Sequence, residues 1–200
     1  MGMLFYIMGK SSSGKDTIYT ELVSREELQL KKLIMYTTRP IRDSEEQGRE
    51  YFFVDDDTAE ELQRQGRVIE MRVYHTIHGD WRYFTVDDQN LDLEQFDYLA
   101  IGTLESYGMI RAYYGEEKVI PVYIEVDDGI RLERALKRER KPQNQKYEEM
   151  CRRFLADAKD YSEEKLKEAG ITRRFYNEGD RQECMDEIEA FIQECRRERA

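Results

Sequence analysis

A short apolar strand that leads into a glycine- and serine-rich turn constrains this chain more than any other feature of its sequence. Residues 4–8 read LFYIM, residues 9–17 read GKSSSGKDT, and the segment that follows has helical spacing. Glycines let backbone N–H groups approach an anion, a helix N-terminus favours negative charge, and a lysine reaches the outer phosphates. The pattern therefore predicts a phosphate-binding loop for a nucleoside triphosphate, formed by Gly9, Lys10, Ser11, Ser12, Ser13, Gly14, Lys15, Asp16 and Thr17.

The residue after the loop lysine departs from the usual pattern. Phosphate-binding loops place Ser or Thr directly after the lysine, where the hydroxyl binds Mg²⁺. Here Asp16 takes that position and Thr17 follows it. We expect Asp16 and Thr17 to contact the Mg²⁺ that accompanies ATP. The alternative for the whole segment is a flexible Ser/Gly turn that binds no nucleotide.

The balance of charges and the cysteines narrow the class of protein. Among 200 residues, 43 are acidic and 32 are Lys or Arg, which gives a net charge of −11. Such a chain lacks the positive surface that non-specific nucleic-acid binding requires. Cys151, Cys184 and Cys195 form no CxxC pair, so we expect reduced thiols, and no apolar run approaches the length of a membrane span. These features predict a cytoplasmic protein without nucleic-acid or membrane partners.

Apolar runs and helical spacings alternate along the chain, as in an α/β fold. Strands are predicted at residues 4–8, 33–36, 51–54, 68–73, 98–102 and 119–124. Helices are predicted at residues 14–24, 58–65, 103–114, 128–140, 145–168 and 182–198. The wholly apolar strands indicate a central parallel sheet between layers of helices, with ligand sites at the carboxyl ends of the strands. The mixed strands between residues 50 and 86 indicate a small, mostly β insertion.

A basic loop begins this insertion. Residues 37–51 read TTRPIRDSEEQGREY, and Pro40 prevents a regular helix there. Arg39 and Arg42 suit bidentate binding of a phosphate, and the Tyr51 hydroxyl adds a donor. The alternative is a solvated loop in which the arginines pair with its acidic residues.

Seven residues of this loop, at fixed spacing behind a phosphate-binding loop, resemble the guanylate kinase family of nucleoside monophosphate kinases. They are Thr37, Thr38, Arg39, Arg42, Glu45, Gly48 and Tyr51. The resemblance implies that Arg39, Arg42 and Tyr51 hold the phosphate of GMP. It also implies that Glu70 accepts hydrogen bonds from guanine, which offers its N1–H and N2–H donors side by side. Tyr83 is expected in the wall of the same pocket.

The resemblance covers nearly the whole chain and implies a single domain. Its core would comprise residues 1–36, 92–136 and 160–200, with an acceptor-binding insertion at residues 37–91 and a helical lid at residues 137–159. In the family, lid arginines reach the migrating phosphoryl group, which implies that role for Arg134, Arg138 and Arg153. Salt bridges with neighbouring glutamates are the alternative for each of them. Asn177 matches a strand-end asparagine that lies beside the adenine ring.

Four family features are altered in this sequence. Asp16 follows the loop lysine, Met35 and Tyr36 replace small residues, and residues 75–85 replace a glycine- and tyrosine-rich stretch. The strand near residues 98–102 ends without the usual aspartates, and Glu105 is the candidate substitute for placing Mg²⁺ or binding guanine. His75 and His78 lack the ligand spacing of a zinc site, so we expect a polar loop there.

These observations predict an enzyme that transfers the γ-phosphoryl group of ATP, bound with Mg²⁺, to GMP. One alternative is a related P-loop kinase with another phosphate-bearing acceptor, such as a ribose bisphosphate. Another is a non-catalytic interaction module with a guanylate kinase-like fold. A monomer or a homodimer is expected.

Overall fold

The computed structural model describes residues 2–76, 79–88, 91–141 and 145–199, which form two sheets and seven α-helices. In chain order the elements are β1 (Leu4–Met8), α1 (Lys15–Ser24), β2 (Lys31–Lys32), β3 (Tyr36–Thr37), β4 (Phe52–Phe53), α2 (Asp56–Arg64), β5 (Val68–Thr76), β6 (Gly79–Val86), β7 (Tyr98–Ile101), α3 (Leu104–Tyr114), β8 (Val119–Glu125), α4 (Asp128–Glu139), α5 (Tyr147–Asp160), α6 (Glu163–Glu168), β9 (Arg174–Tyr176) and α7 (Arg181–Arg199).

The larger sheet is parallel and has the strand order β2-β7-β1-β8-β9. All five residues of the central strand β1 are buried, because helices cover both faces of the sheet. Its phenylalanine and isoleucine pack with α1 and α7, while its other residues pack with α3. This arrangement places the loop after β1 at the carboxyl edge of the sheet, where ligands bind in such folds.

The smaller sheet is mixed and has the order β4-β3-β6-β5. Its long hairpin β5–β6 contains a β-bulge between Val68 and Glu70. Phe84 and Val86 of β6 pack with Ala59 of α2 in a core of their own. The predicted α/β fold, with a central parallel sheet and a second, mostly β unit, is confirmed.

Two predicted elements were wrong in their bounds. One strand was predicted at residues 33–36. The structure instead has β2 at residues 31–32 and β3 at residues 36–37, because the chain leaves the larger sheet here and enters the smaller one. The helix predicted at residues 145–168 is divided into α5 and α6. Ser162 has an extended backbone and its side chain accepts a hydrogen bond from the Lys165 N–H, which starts a new helix.

None of the helices in the described ranges is long and apolar enough to cross a membrane. The three cysteines are free, with Cys151 exposed and Cys184 and Cys195 buried. Cys184 and Cys195 lie on the buried face of α7 in the core, so they act as small apolar side chains.

We predict that Gly102, just before α3, and Gly108, within α3, respond in opposite ways to substitution by alanine. A Cβ on Gly102 would lie 2.0 Å from the hydroxyl of buried Tyr6, which Ser106 holds at 2.7 Å. Gly102→Ala should therefore lower the free energy of unfolding by about 1–3 kcal/mol through overpacking. Gly108, within α3, has no atom within 4 Å of such a Cβ, so Gly108→Ala should raise it by about 0.5–1 kcal/mol. Urea unfolding of both variants measures this, and equal stabilities would contradict the packing described.

Candidate active site

The loop between β1 and α1 has the backbone of an anion-binding site. Ser12 and Gly14 have positive φ angles of 65° and 86°, which turn successive N–H groups inward. A Cβ on Gly9 would lie 2.6 Å from the Ile124 carbonyl oxygen, so the loop passes too close to β8 for a larger residue. The hydroxyls of Ser12 and Ser13 are buried and have no hydrogen-bond partner among the described residues. The loop therefore holds donors that a phosphate can use.

Asn177 supports this loop from the end of β9. Its Nδ2 donates to the Ser13 carbonyl oxygen at 2.7 Å, and the side chain is buried. A cavity of about 250 Å³ lies beside it. The cavity is lined by Gly14, Thr17, Arg134, Asn177, Gly179 and Arg181. The structure thus brings Asn177, predicted to bind ATP, and Arg134, predicted as a catalytic lid arginine, to the phosphate loop.

Arg131 and Asp157 hold the loop from the other side, and sequence reasoning missed both. The Arg131 side chain is 1% exposed, and its Nε donates to the Ser11 carbonyl oxygen at 2.9 Å. Its Nη2 donates to Asp157 Oδ2 at 2.8 Å, and the same oxygen accepts from the Ser11 N–H at 2.8 Å. The available signal was an arginine four residues before Ala135 on the buried face of α4.

Further contacts extend this network. Arg131 also pairs with Asp128, whose carboxylate lies 3.2 Å from Lys10 Nζ. The Arg131 guanidinium lies over the Phe154 ring, 4.9 Å from its centroid. Because Arg131 belongs to α4 and Asp157 to α5, both helices are fixed to the phosphate loop.

A cleft of about 1030 Å³ opens in front of the loop. Gly9, Ser11 and Lys15 line one side of the cleft. Residues 71–74 of β5 and residues 102–105, which end in the first turn of α3, line other parts, and residues between 157 and 169, from the end of α5 to the end of α6, complete the lining. The structure therefore brings Lys15 and Glu105 to one cleft together with the inserted sheet.

Glu45 fixes the basic loop before β4. The buried Arg39 guanidinium donates to both Glu45 carboxylate oxygens, at 2.7 and 3.0 Å, and its Nε donates to the Tyr83 hydroxyl at 3.1 Å. The Arg42 N–H donates to Glu45 at 2.9 Å, and the Arg42 side chain is exposed. Hydrogen bonding to Arg39 lowers the pKa of Glu45, which keeps this carboxylate charged. Pairing with an acidic residue, which the sequence offered as the alternative to phosphate binding, is observed for Arg39, and it orients the guanidinium.

Aromatic rings surround this guanidinium. The Tyr51 and Tyr83 ring centroids are 5.5 Å apart, and so are those of Tyr74 and Tyr83. The Arg39 guanidinium lies 5.7 Å from the Tyr51 ring centroid. The structure thus groups three of the predicted acceptor residues, Arg39, Tyr51 and Tyr83.

Glu70 is a buried carboxylate on the same sheet. It is 3% exposed and accepts from the Thr85 hydroxyl at 2.9 Å. Arg72 Nε lies 3.4 Å from its other oxygen. Burial raises the pKa of Glu70, while the Arg72 charge and the Thr85 hydrogen bond act in the opposite direction. The β-bulge before Glu70 changes the direction of its side chain relative to Val68, which faces the small core.

The predicted acceptor residues Arg39, Arg42, Tyr51, Glu70 and Tyr83 do not line the cleft, and other predicted residues lie outside its lining as well. Arg138 is exposed, and Arg153 donates to Glu149 on its own helix at 2.7 Å. His75 Nδ1 lies 2.7 Å from Asp80 Oδ1, whereas His78 lies outside the described residues. Neither lid arginine lines either cavity described above.

Asp16 and Thr17 fit the chemistry of a magnesium site. Both lie in the first turn of α1, and the Asp16 side chain is 83% exposed with an oxygen 3.4 Å from Lys15 Nζ. Mg²⁺ prefers oxygen ligands and is usually bound by one or two protein groups together with substrate phosphates. In the part of the chain that the structure describes, no three His, Cys, Asp or Glu side chains form a metal-binding group.

Comparison with known proteins gives one consistent result. The family model described as "Guanylate kinase" matches residues 2–170. The guanylate kinase of Nitrosomonas europaea is 37% identical over 75 residues, which is 38% of this chain and 37% of that protein. The guanylate kinase of Porphyromonas gingivalis is 29% identical over 126 residues, which is 62% of this chain and 65% of that protein. The chain thus spans less than two thirds of the length of these relatives.

A solved structure extends the likeness to the fold. The crystal structure of guanylate kinase from Anaplasma phagocytophilum matches with a TM-score of 0.63 at 16% identity. The match covers 96% of this chain and 85% of that one.

We predict that Arg131→Met lowers the free energy of unfolding by about 3 kcal/mol. The variant leaves the Asp157 carboxylate, 15% exposed, without its cation, and such losses cost several kcal/mol. Arg131→Met/Asp157→Leu should recover part of the loss. Arg152→Met, which removes an exposed pair with Glu149, is the control and should change stability by less than about 1 kcal/mol. Urea unfolding measures all three, and an Arg131→Met variant within about 1 kcal/mol of the wild type would contradict the prediction.

Proposed function

This chain belongs to the guanylate kinase family, and we propose that it transfers the γ-phosphoryl group of ATP to GMP, giving ADP and GDP. The observation that carries the proposal is the cleft of about 1030 Å³. The phosphate loop with Lys15 lines one part of the cleft. Strand β5, which contains the buried Glu70, lines another part with its residues 71–74. Such a cleft can hold a donor and an acceptor side by side.

The donor binds at the phosphate loop. Backbone N–H groups of residues 9–14 and the Lys15 ammonium contact the β- and γ-phosphates of ATP. Arg134 and Asn177 lie at the cavity on the other side of the loop, where the rest of the donor nucleotide extends. Asp16 and Thr17 would hold Mg²⁺. When bound with ATP, this ion neutralises part of the phosphate charge.

The acceptor binds on the inserted unit, residues 37–91. Arg39, Arg42 and Tyr51 hold the phosphate of GMP, and the ion pair with Glu45 presets the Arg39 fork. Glu70 accepts from the guanine N1–H and N2–H groups, Tyr83 forms the wall, and Glu105 lies at the edge of the cleft. A buried carboxylate next to the cleft favours a base with adjacent donors over an acceptor with a second phosphate.

Catalysis on this scheme consists of positioning and charge stabilisation. The transition state of phosphoryl transfer spreads negative charge over three oxygens, and fixed cations lower its energy. Lys15 and Arg134 lie at the phosphate loop. Arg138 and Arg153 join them when the lid, residues 137–159, closes over the core formed by residues 1–36, 92–136 and 160–200. The protein itself forms no covalent intermediate.

The protein acts on small molecules, ATP and GMP, in the cytoplasm, as a monomer or a homodimer. Its net charge of −11 is unsuited to nucleic-acid binding. The three free cysteines suit a reducing compartment.

We predict that Lys15→Ala lowers kcat for GMP by about 100-fold or more, because the variant removes a cation that stabilises the transferring phosphoryl group. A coupled assay of ADP release with GMP, AMP and ribose 1,5-bisphosphate measures the effect. GMP should be the preferred acceptor of the wild type. Lys32→Ala, which changes an exposed residue of β2, should retain full activity.

Two results would contradict the proposed function. Preference for ribose 1,5-bisphosphate would indicate a different acceptor class, and absence of both turnover and ATP binding by calorimetry would indicate a non-catalytic module. Turnover of GMP that survives in Lys15→Ala would refute the proposed donor site.

A further inference from the structure

The face of the small sheet that carries Glu70 also carries Arg72, an arginine outside the motifs of the sequence. Side chains two apart on a strand share a face, so Glu70 and Arg72 lie side by side on β5. Their cross-strand partners on β6 are Thr85 and Tyr83. Arg72 lines the cleft, and Glu70, which is 3% exposed, is buried directly beside Arg72.

The Arg72 guanidinium has donors to spare. Its side chain is 17% exposed, and its buried Nε has no well-formed hydrogen bond among the described residues. Nη2 lies 3.5 Å from the Met35 sulfur, a weak acceptor. A guanidinium carries five N–H donors in a fixed fork, and burial without good acceptors costs free energy. Since Nε is buried beside Glu70, the Nη groups are the donors left for a ligand in the cleft, and a ligand with two adjacent acceptors would suit them.

Guanine offers such acceptors beside the donors that Glu70 accepts from. Its O6 and N7 atoms form an acceptor pair, which arginine binds in a bidentate manner in nucleic-acid recognition. O6 is attached next to N1, so the side chains that contact O6 and N1–H must be close neighbours. Arg72 Nε and the Glu70 carboxylate are 3.4 Å apart, which meets this requirement. Adenine has an amino group in place of O6 and would place a donor against the guanidinium.

We propose that Arg72 is a specificity-determining residue that donates hydrogen bonds to O6 and N7 of the acceptor base. Glu70 accepts from N1–H and N2–H of the same base. This inference rests on the proposed function, since it assigns a further contact to the GMP site. The proposal also explains why the two residues lie together, because the Arg72 cation offsets the charge of the Glu70 carboxylate, which is 3% exposed.

Arg72 has a second effect, on the ionisation of Glu70. The groups that face Glu70 are Arg72 on β5, Thr85 on β6, Glu105 on α3 and the Tyr6 hydroxyl on β1. Burial and Glu105 raise the pKa of Glu70, whereas Arg72 and Thr85 lower it. Loss of the cation therefore raises this pKa. The acid limb of kcat/KM for GMP should then move to higher pH, since binding of guanine needs the carboxylate.

The test is a double-mutant-type cycle, in which the Arg72 side chain and the N7 atom of the acceptor base are removed separately and then together. Wild type and Arg72→Met are assayed with GMP and with 7-deaza-GMP, which lacks the N7 acceptor. The wild type should lose about tenfold in kcat/KM with 7-deaza-GMP. Arg72→Met should lose about tenfold or more with GMP, mainly through KM, and should no longer distinguish the two acceptors. Arg64→Met, which removes an exposed arginine of α2, is the matched control and should behave as the wild type.

A conservative variant separates the two effects of Arg72. Arg72→Lys keeps the charge but not the planar fork. It should keep the acid limb at the wild-type pH and still lose the preference for GMP over 7-deaza-GMP. The control variant corrects for ionisation of the GMP phosphate itself, and thermal unfolding checks that each variant is folded.

The outcomes distinguish this inference from the function on which it rests. Wild-type turnover of GMP together with an equal 7-deaza-GMP penalty in wild type and Arg72→Met would overturn the role of Arg72 alone. Absence of a penalty in the wild type would overturn it as well. Absence of GMP turnover in the wild type would overturn both the proposed function and this inference.

Discussion

At the base of the cleft, Arg131 and Asp157 hold the two polar backbone atoms of Ser11, one by donation and one by acceptance. A buried ion pair contributes little net stability, because the attraction is offset by desolvation of both charges. Its value here is geometric, since one pair fixes α4, α5 and the phosphate loop relative to one another. The proposed lid, residues 137–159, includes most of α5 and therefore Asp157 itself. Closure of the lid would have to keep, or break, the contact between Asp157 and the Ser11 N–H.

Two arginines outside the lining of the cleft are oriented in the same way. Carboxylates hold each guanidinium before any ligand binds: Arg131, behind the phosphate loop, by Asp128 and Asp157, and Arg39, in the inserted unit, by Glu45. Such preorganisation lowers the entropy lost on binding and leaves less rearrangement for the reaction step. Arg131, 1% exposed, uses its donors to hold the phosphate loop, so in this chain of net charge −11 the cation that lines the cleft beside the loop is Lys15.

The sequence predicted the phosphate loop and the α/β class because both depend on local signals. An apolar strand, a glycine turn and a lysine lie within one short segment, and the basic motif before Tyr51 has fixed spacing. The contacts that support these motifs join residues distant in sequence, as with Arg131 and Ser11 or Asn177 and Ser13, so no local pattern indicates them. The break between α5 and α6 was missed because the cap is a single serine within a polar, charged stretch.

The outer strands of the larger sheet affect whether a strand of another chain can pair with it. One outer strand, β2, has only two residues, both exposed lysines, and the other, β9, has three residues. Short outer strands and lysine side chains discourage a foreign strand from adding to a sheet by backbone pairing. The longer apolar strands β7, β1 and β8 have a neighbour on each side, so the larger sheet presents only its short strands to a foreign strand.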